Sequence, residues 1–166
     1  MRTRVIYGGL ALVVGALVLL VIQKEQLLQH GTPLLLELAP VDPRSLMQGD
    51  YMVLNYAISQ EVRPGWDNPA EDGRLVLRRD EAGVGRFVGV ETPGLALGPG
   101  ELWLNFKVRG SRVRLGAESF FFQEGHADHY ARAKYGELRV AADGTSVLVG
   151  LRDAERQPLG PPASLD

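Results

Sequence analysis

There is no cysteine among these 166 residues. That absence excludes a disulfide framework, a thiolate metal site and a lipobox lipoprotein, so any core must hold by packing alone. Histidine is scarce, with three in the chain, and aromatics make up only 7%. Acidic residues are missing altogether from positions 1–23, which carry two cations, Arg2 and Arg4. The remainder holds 16 basic and 20 acidic residues, a net of −4. A mildly acidic body has no electrostatic reason to sit on nucleic acid. Its basic clusters, Arg78-Arg79 and Arg109 with Arg112 and Arg114, read as solvated strand faces. No Ser/His/Asp set, paired-carboxylate signature or cofactor motif is present. The sequence therefore favours a non-enzymatic role and names no cofactor.

What is there begins with an apolar run. Val5 to Ile22 is 18 uncharged residues, about 27 Å of helix, enough to cross bilayer hydrocarbon. A secretory signal has an apolar stretch of about 7 to 15 residues and then a small-x-small cleavage site. Here the run leaves through Leu19-Leu20-Val21-Ile22-Gln23-Lys24, with nothing small near the exit. The expectation is an uncleaved single-pass anchor over residues 1–23, with the helix extending through 24–31 until Gly31 and Pro33 stop it. Arg2, Arg4 and the terminal amine outweigh Lys24, which Glu25 balances. The N-terminus should stay in the cytoplasm of an inner membrane, and the rest lie outside it. Gly8, Ala11 and Gly15 fall at i, i+3 and i+7 on one narrow helix face. Such a face lets another helix approach closely, although glycine and alanine are also common in membrane helices generally.

Residues 32–155 read as one extracytoplasmic β domain. Leu34, Leu36 and Leu38 alternate in a strand over Pro33 to Ala39, and Pro40 to Gly49 forms a loop. Tyr51 to Ile58 reads as a strand with Met52, Leu54, Tyr56 and Ile58 facing the core. Pro64, Gly65, Trp66, Asn68, Pro69 and Gly73 are loop chemistry, with Trp66 as a lid over the barrel end or an exposed interaction residue. Three hairpins follow: 74–79 with 85–90, 101–109 with 112–115, and 137–141 with 146–151 around Asp143-Gly144. About eight strands at this spacing predict a mainly β fold, an antiparallel β-sandwich or small barrel. Residues 125–135 suit one short helix across a sheet end. Of Phe120 to Phe122, two rings are expected in the core and one against that helix, while an odd ring left exposed would mark a partner or membrane-facing surface. Residues 156–166, proline-rich and polar, read as a flexible tail with nothing to bury.

Gly49-Asp50-Tyr51-Met52-Val53-Leu54-Asn55-Tyr56 fits the pattern Gly-Asp-Tyr-x-x-Leu-x-Tyr at every fixed position. The chain thereby resembles the GDYXXLXY family of bacterial membrane-anchored proteins. Asp42-Pro43-Arg44-Ser45-Leu46 looks like the family's lead-in, and Phe120 to Gly125 like a looser version of its later aromatic-to-Glu-Gly segment. The resemblance covers residues 1 to about 155. It implies membrane anchoring and the company of a multi-span membrane protein, and it implies no activity.

Two places can hold chemistry. Gly49 with a positive φ and Asp50 bonding a backbone N–H would simply turn the chain into the strand. Alternatively Asp50, with Asp42 and Arg44, lines a pocket beside Tyr51, Leu54 and Tyr56, although Tyr51 and Tyr56 must point to opposite faces. Glu124, His126, Asp128 and His129 offer four ligands for zinc or a similar cation, and equally suit a polar helix opening. The leading expectation is an accessory protein whose helix pairs with a multi-span partner in the bilayer. The alternative is an extracytoplasmic module that binds a small ligand or metal.

Overall fold

The computed structural model describes residues 2–39, 47–48, 51–62, 72–109, 112–116, 118–122 and 127–160. Helix α1, Arg2–His30, is continuous. The apolar run and the polar turns after it form one rod about 43 Å long. The side chains described on it are exposed until Leu27, which is buried. Gly31 ends the rod, its N–H donating to the Leu27 carbonyl at 2.9 Å.

Beyond the helix the chain is mainly β, with antiparallel strands in curled sheets. In chain order the strands are β1 (Thr32–Glu37), β2 (Met47–Gln48), β3 (Tyr51–Val53), β4 (Asp72–Arg79), β5 (Gly85–Val90), β6 (Glu101–Arg109), β7 (Arg112–Arg114) and β8 (Ser119–Phe121). They are followed by helix α2 (Ala127–Tyr130), β9 (Tyr135–Val140), β10 (Ser146–Arg152) and β11 (Pro158–Leu159). Among the described residues they form three sheets, ordered β1-β9-β10-β11, β2-β3-β8 and β5-β4-β6-β7. Their inner faces share one apolar core in which Leu34, Leu75, Leu77, Leu104 and Leu138 are fully enclosed. Burying each such side chain contributes about 1.5–3 kcal/mol, the main favourable term in a chain without disulfides.

The three expected hairpins are present, because each has turn chemistry between alternating runs. Asp80 Oδ1 accepts from Ala82 and Val84 N–H at 3.0 and 2.8 Å, and Gly83 takes φ 82°. Asp143 Oδ1 accepts from Thr145 N–H at 2.8 Å while Gly144 takes φ 85°. A side-chain acceptor followed by a residue free to adopt positive φ closes such turns without strain.

Four expectations need correction. The strand expected over Tyr51 to Ile58 ends at Val53 and gives way to a 3-10 turn at Ala57–Gln60. The chain changes partner there: Leu54 N–H donates to the Glu118 carbonyl, while the Asn55 carbonyl accepts from Ala39 and Tyr56 bridges Leu38. Because the backbone stays extended through Tyr56, the alternation survives, and Met52, Leu54, Tyr56 and Ile58 are all buried. Second, the expected tail contains β11, which pairs with β10 and buries Leu159 in the core. One leucine among prolines was enough to bring it back. Third, the short helix expected to run to residue 135 ends at Tyr130, and its described part, α2, is one turn. Fourth, Phe120 and Phe122 pack against the core, whereas Phe121 is 75% exposed on the other face of β8. Trp66 lies outside the described residues.

Candidate functional site

The signature strand β3 sits between β2 and β8, and its register brings Tyr51 opposite Phe121 and Met52 opposite Phe120. Strand alternation then divides the signature in two. Tyr51 is half-buried on the outer face, its ring centroid 5.8 Å from that of exposed Phe121. Leu54 and Tyr56 point inward and are 3% and 2% exposed. The aromatic pair outside and the enclosed pair inside therefore have different duties.

Tyr56 is fixed from two sides. Its backbone bridges Leu38 at the end of the first sheet, and its ring lies over Gly136 of β9. A Cβ at Gly136 would stand 3.1 Å from Tyr56 Cε1 and 3.3 Å from its hydroxyl oxygen. Glycine is needed there for space. Burial, and secondarily the Glu118 carboxylate, push the Tyr56 hydroxyl well above the ordinary phenol range. It stays protonated at any physiological pH, which suits a structural donor and not an acid or base.

Beside this strand lies an open groove of about 570 Å³, floored by Leu54, Tyr56 and Val62 and walled by Arg112, Arg114 and Glu118. Arg114 and Glu118 pair at 3.3 Å across its rim. A second cavity of about 330 Å³ shares Arg114, Leu115 and Glu118 with that groove. It is lined by Lys107, Arg109 and Arg114 together with Asn105, Thr145 and Ser146. In the register of β6 and β7, Lys107 faces Arg114 and Arg109 faces Arg112, all four exposed. The reading of Arg109, Arg112 and Arg114 as solvated holds. What sequence reasoning missed is their union with Lys107 and the turn at 143–146. The signal was the symmetry of Lys107 and Arg109 with Arg112 and Arg114 about residues 110–111.

Of the residues proposed as a pocket, Asp42, Arg44, Gly49 and Asp50 lie outside the described residues. Tyr51 is turned away from Leu54 and Tyr56, as strand geometry demands. Of the candidate metal ligands, Glu124 and His126 lie outside the described residues, as does the Asp128 side chain. His129 Nε2 accepts from the Gly160 N–H at 2.9 Å, so one ring nitrogen holds β11 in place. Among the described residues no group of three His, Asp or Glu side chains converges to hold a metal ion. Gly8, Ala11 and Gly15 share one exposed stripe of α1, and nothing in the fold approaches where a Cβ would stand at either glycine.

A family model described as GDYXXLXY protein matches residues 13–151. No curated protein and no solved structure matches the chain.

Proposed function

The chain belongs to the GDYXXLXY family, and on that premise we propose that it is an inner-membrane-anchored accessory protein. In this reading α1 spans the bilayer with its N-terminus in the cytoplasm and pairs with a helix of a multi-span membrane protein. The β domain then works on the outer side. The observation that carries the reading is the state of α1. From Ile6 to Ile22 every side chain is exposed, and the β domain covers none of that surface. An apolar surface of that extent needs lipid or protein around it. Gly8, Ala11 and Gly15 mark the side on which a helix backbone can come close. The remaining faces, built from Leu, Val and Ile, suit acyl chains.

The outer-face pair of half-buried Tyr51 and exposed Phe121 supports a contact outside the bilayer as well, since aromatic side chains anchor protein interfaces. The test is extraction of the full chain in mild detergents, followed by identification of what co-purifies. A multi-span protein should be recovered with the wild type and lost, at equal expression, with the Gly8→Leu/Gly15→Leu variant. Recovery of the bare chain in every detergent would overturn the reading.

A further inference from the structure

Two pairs of like charges stand directly opposite each other on the β6–β7 hairpin, Lys107 with Arg114 and Arg109 with Arg112. Cross-strand repulsion of this kind weakens a hairpin. Among the described residues only two carboxylates relieve it, Asp72 at 3.5 Å from Arg109 and Glu118 at 3.3 Å from Arg114. Lys107 and Arg112 have no ion-pair partner among the described residues. This concentration of cations occurs in a portion of the chain that carries a net charge of −4. Asp72 also stands opposite Lys107 in the β4–β6 register, so four cations meet two carboxylates among the described residues, and a local rule only partly compensated there points to an anion outside the fold.

The hairpin's location bears on which anion that is. The cavity it forms is completed by Thr145 and Ser146, and the Glu118 carboxylate that pairs with Arg114 also lines it. Ser146 is level with Val140 and, through it, with Thr32, the second residue past the end of α1. The two sheets are tied at this end: Asn105 N–H donates to the Gly144 carbonyl at 2.9 Å. The Asn105 amide, oriented to satisfy both its atoms, donates to the Asp143 carbonyl and accepts from Thr145 N–H, each at 3.2 Å. Arg139 caps the helix exit by donating to the Gly31 carbonyl at 3.3 Å. Hydroxyls, an amide and cations thus gather at the end of the β domain where α1 leaves it.

We propose that the β6–β7 hairpin and the Asp143–Ser146 turn form a docking surface for the anionic phospholipid headgroups of the membrane that holds α1. The phosphate oxygens lie between Lys107, Arg114 and the Thr145 and Ser146 hydroxyls, with Arg109 and Arg112 on neighbouring headgroups. The contact fixes the tilt of the β domain over the bilayer, which a single helix alone leaves free. This inference rests on the anchored reading of α1.

The experiment uses the full chain in nanodiscs of phosphatidylcholine, with and without about 30% phosphatidylglycerol, and reads amide hydrogen exchange. A surface Lys or Arg near an anionic leaflet gains about fivefold in membrane association. Opening of segments 105–116 and 143–147 should therefore slow by at least about fivefold in the anionic discs. Raising the salt to about 0.5 M, where screening acts within a few ångström, should abolish the slowing. The K107Q/R112Q variant should lose it too, and its fold should persist because neither residue has a partner among the described residues. Equal exchange in the two lipids overturns the proposal, as does slowing that survives K107Q/R112Q. Inorganic phosphate giving the same protection in phosphatidylcholine discs overturns the headgroup in favour of a free anion. Failure of the anchored reading shows separately, as a mature protein whose mass lacks residues 1–23 or which does not enter the discs.

Discussion

Gly136→Ala isolates what the last tyrosine of the signature does. The new methyl would lie 3.1 Å from Tyr56 Cε1, 3.3 Å from the Tyr56 hydroxyl oxygen and 3.3 Å from Leu148 Cδ1. Carbon atoms in contact prefer about 3.5–4.0 Å, so all three atoms must retreat by a few tenths of an ångström. Tyr56 is 2% exposed and held at its backbone by the Leu38 bridge, so the ring has little room to swing. Overpacking of that kind costs about 1–3 kcal/mol. For a body of this size the loss corresponds to a melting temperature lower by about 4–12 °C. Tyr56→Leu alone removes the ring and leaves a cavity, costing about 2–4 kcal/mol. In that background Gly136→Ala has space to enter, so the double variant should be more stable than the sum of the single losses by about 1 kcal/mol or more. Thermal and urea melts of the full chain in detergent, run on all four proteins, measure this directly. A Gly136→Ala protein as stable as the wild type would refute the packing argument. Strict additivity would refute the specific contact between ring and glycine.

Leu54→Ala should cost about 2–5 kcal/mol because the side chain is 3% exposed. Tyr51→Ala, which forfeits only an outer-face ring pair with Phe121, should cost about 0.5–1.5 kcal/mol, and comparing their melting temperatures checks the division of the signature. Acid should destabilise the domain. The Gly98 N–H and then the Arg78 guanidinium hold Glu101 below the usual carboxylate range, and the Arg74 guanidinium does so for Glu91. Their native forms bind fewer protons than the unfolded chain, so this stabilisation is complete above the unfolded pKa of about 4 and is lost as pH falls through the lower native values. Melting temperature should fall from pH 5 to pH 3 by less in Glu101→Gln than in the wild type. His129→Ala removes the acceptor for Gly160 N–H and should cost about 0.5–1.5 kcal/mol while loosening β11, read as faster exchange at residues 158–160. Zinc should leave the wild-type melting temperature unmoved, since His129 Nε2 is already engaged. A zinc-dependent rise abolished by His129→Ala would restore the metal site.

Most of the architecture was legible wherever a local rule and a tertiary demand agreed. The β5 and β6 boundaries match the expected ones because alternating runs there are bracketed by turn residues. The continuity of α1 follows from apolar length joined to helix-forming polar residues, with a glycine at its end. Legibility failed where tertiary partners override local pattern. Alternation alone cannot tell a strand that keeps one partner from one that passes from β8 to β1, as residues 53–56 do. Nor does composition show that Leu159 has a vacancy to fill in the core. At the site, alternation did separate Tyr51 from Tyr56. The cavity at Lys107 was out of reach because residues 107–114 and 143–146 are distant in sequence and are brought together where Asn105 bonds the turn.

The division within the signature bears on where a partner can be recognised. Leu54 and Tyr56 are consumed by the core: one is packed and the other is wedged against Gly136 with its hydroxyl kept protonated by burial. Each keeps 3% or less of its surface exposed, at the groove beside the strand, so most of what either offers is spent on the fold. The fixed positions of the motif that can be placed therefore separate into a folding part, Leu54 and Tyr56, and an outward part, Tyr51. On its outer face β3 presents Tyr51 beside exposed Phe121 and Val53. Contact energy at protein interfaces concentrates in such aromatic anchors. If the β domain meets its partner outside the bilayer, that contact runs through the outer face of β3 and β8. Phe121→Asp should then weaken co-purification of the multi-span partner while leaving the melting temperature within about 0.5 kcal/mol of the wild type. Unchanged recovery would leave the α1 stripe as the sole attachment.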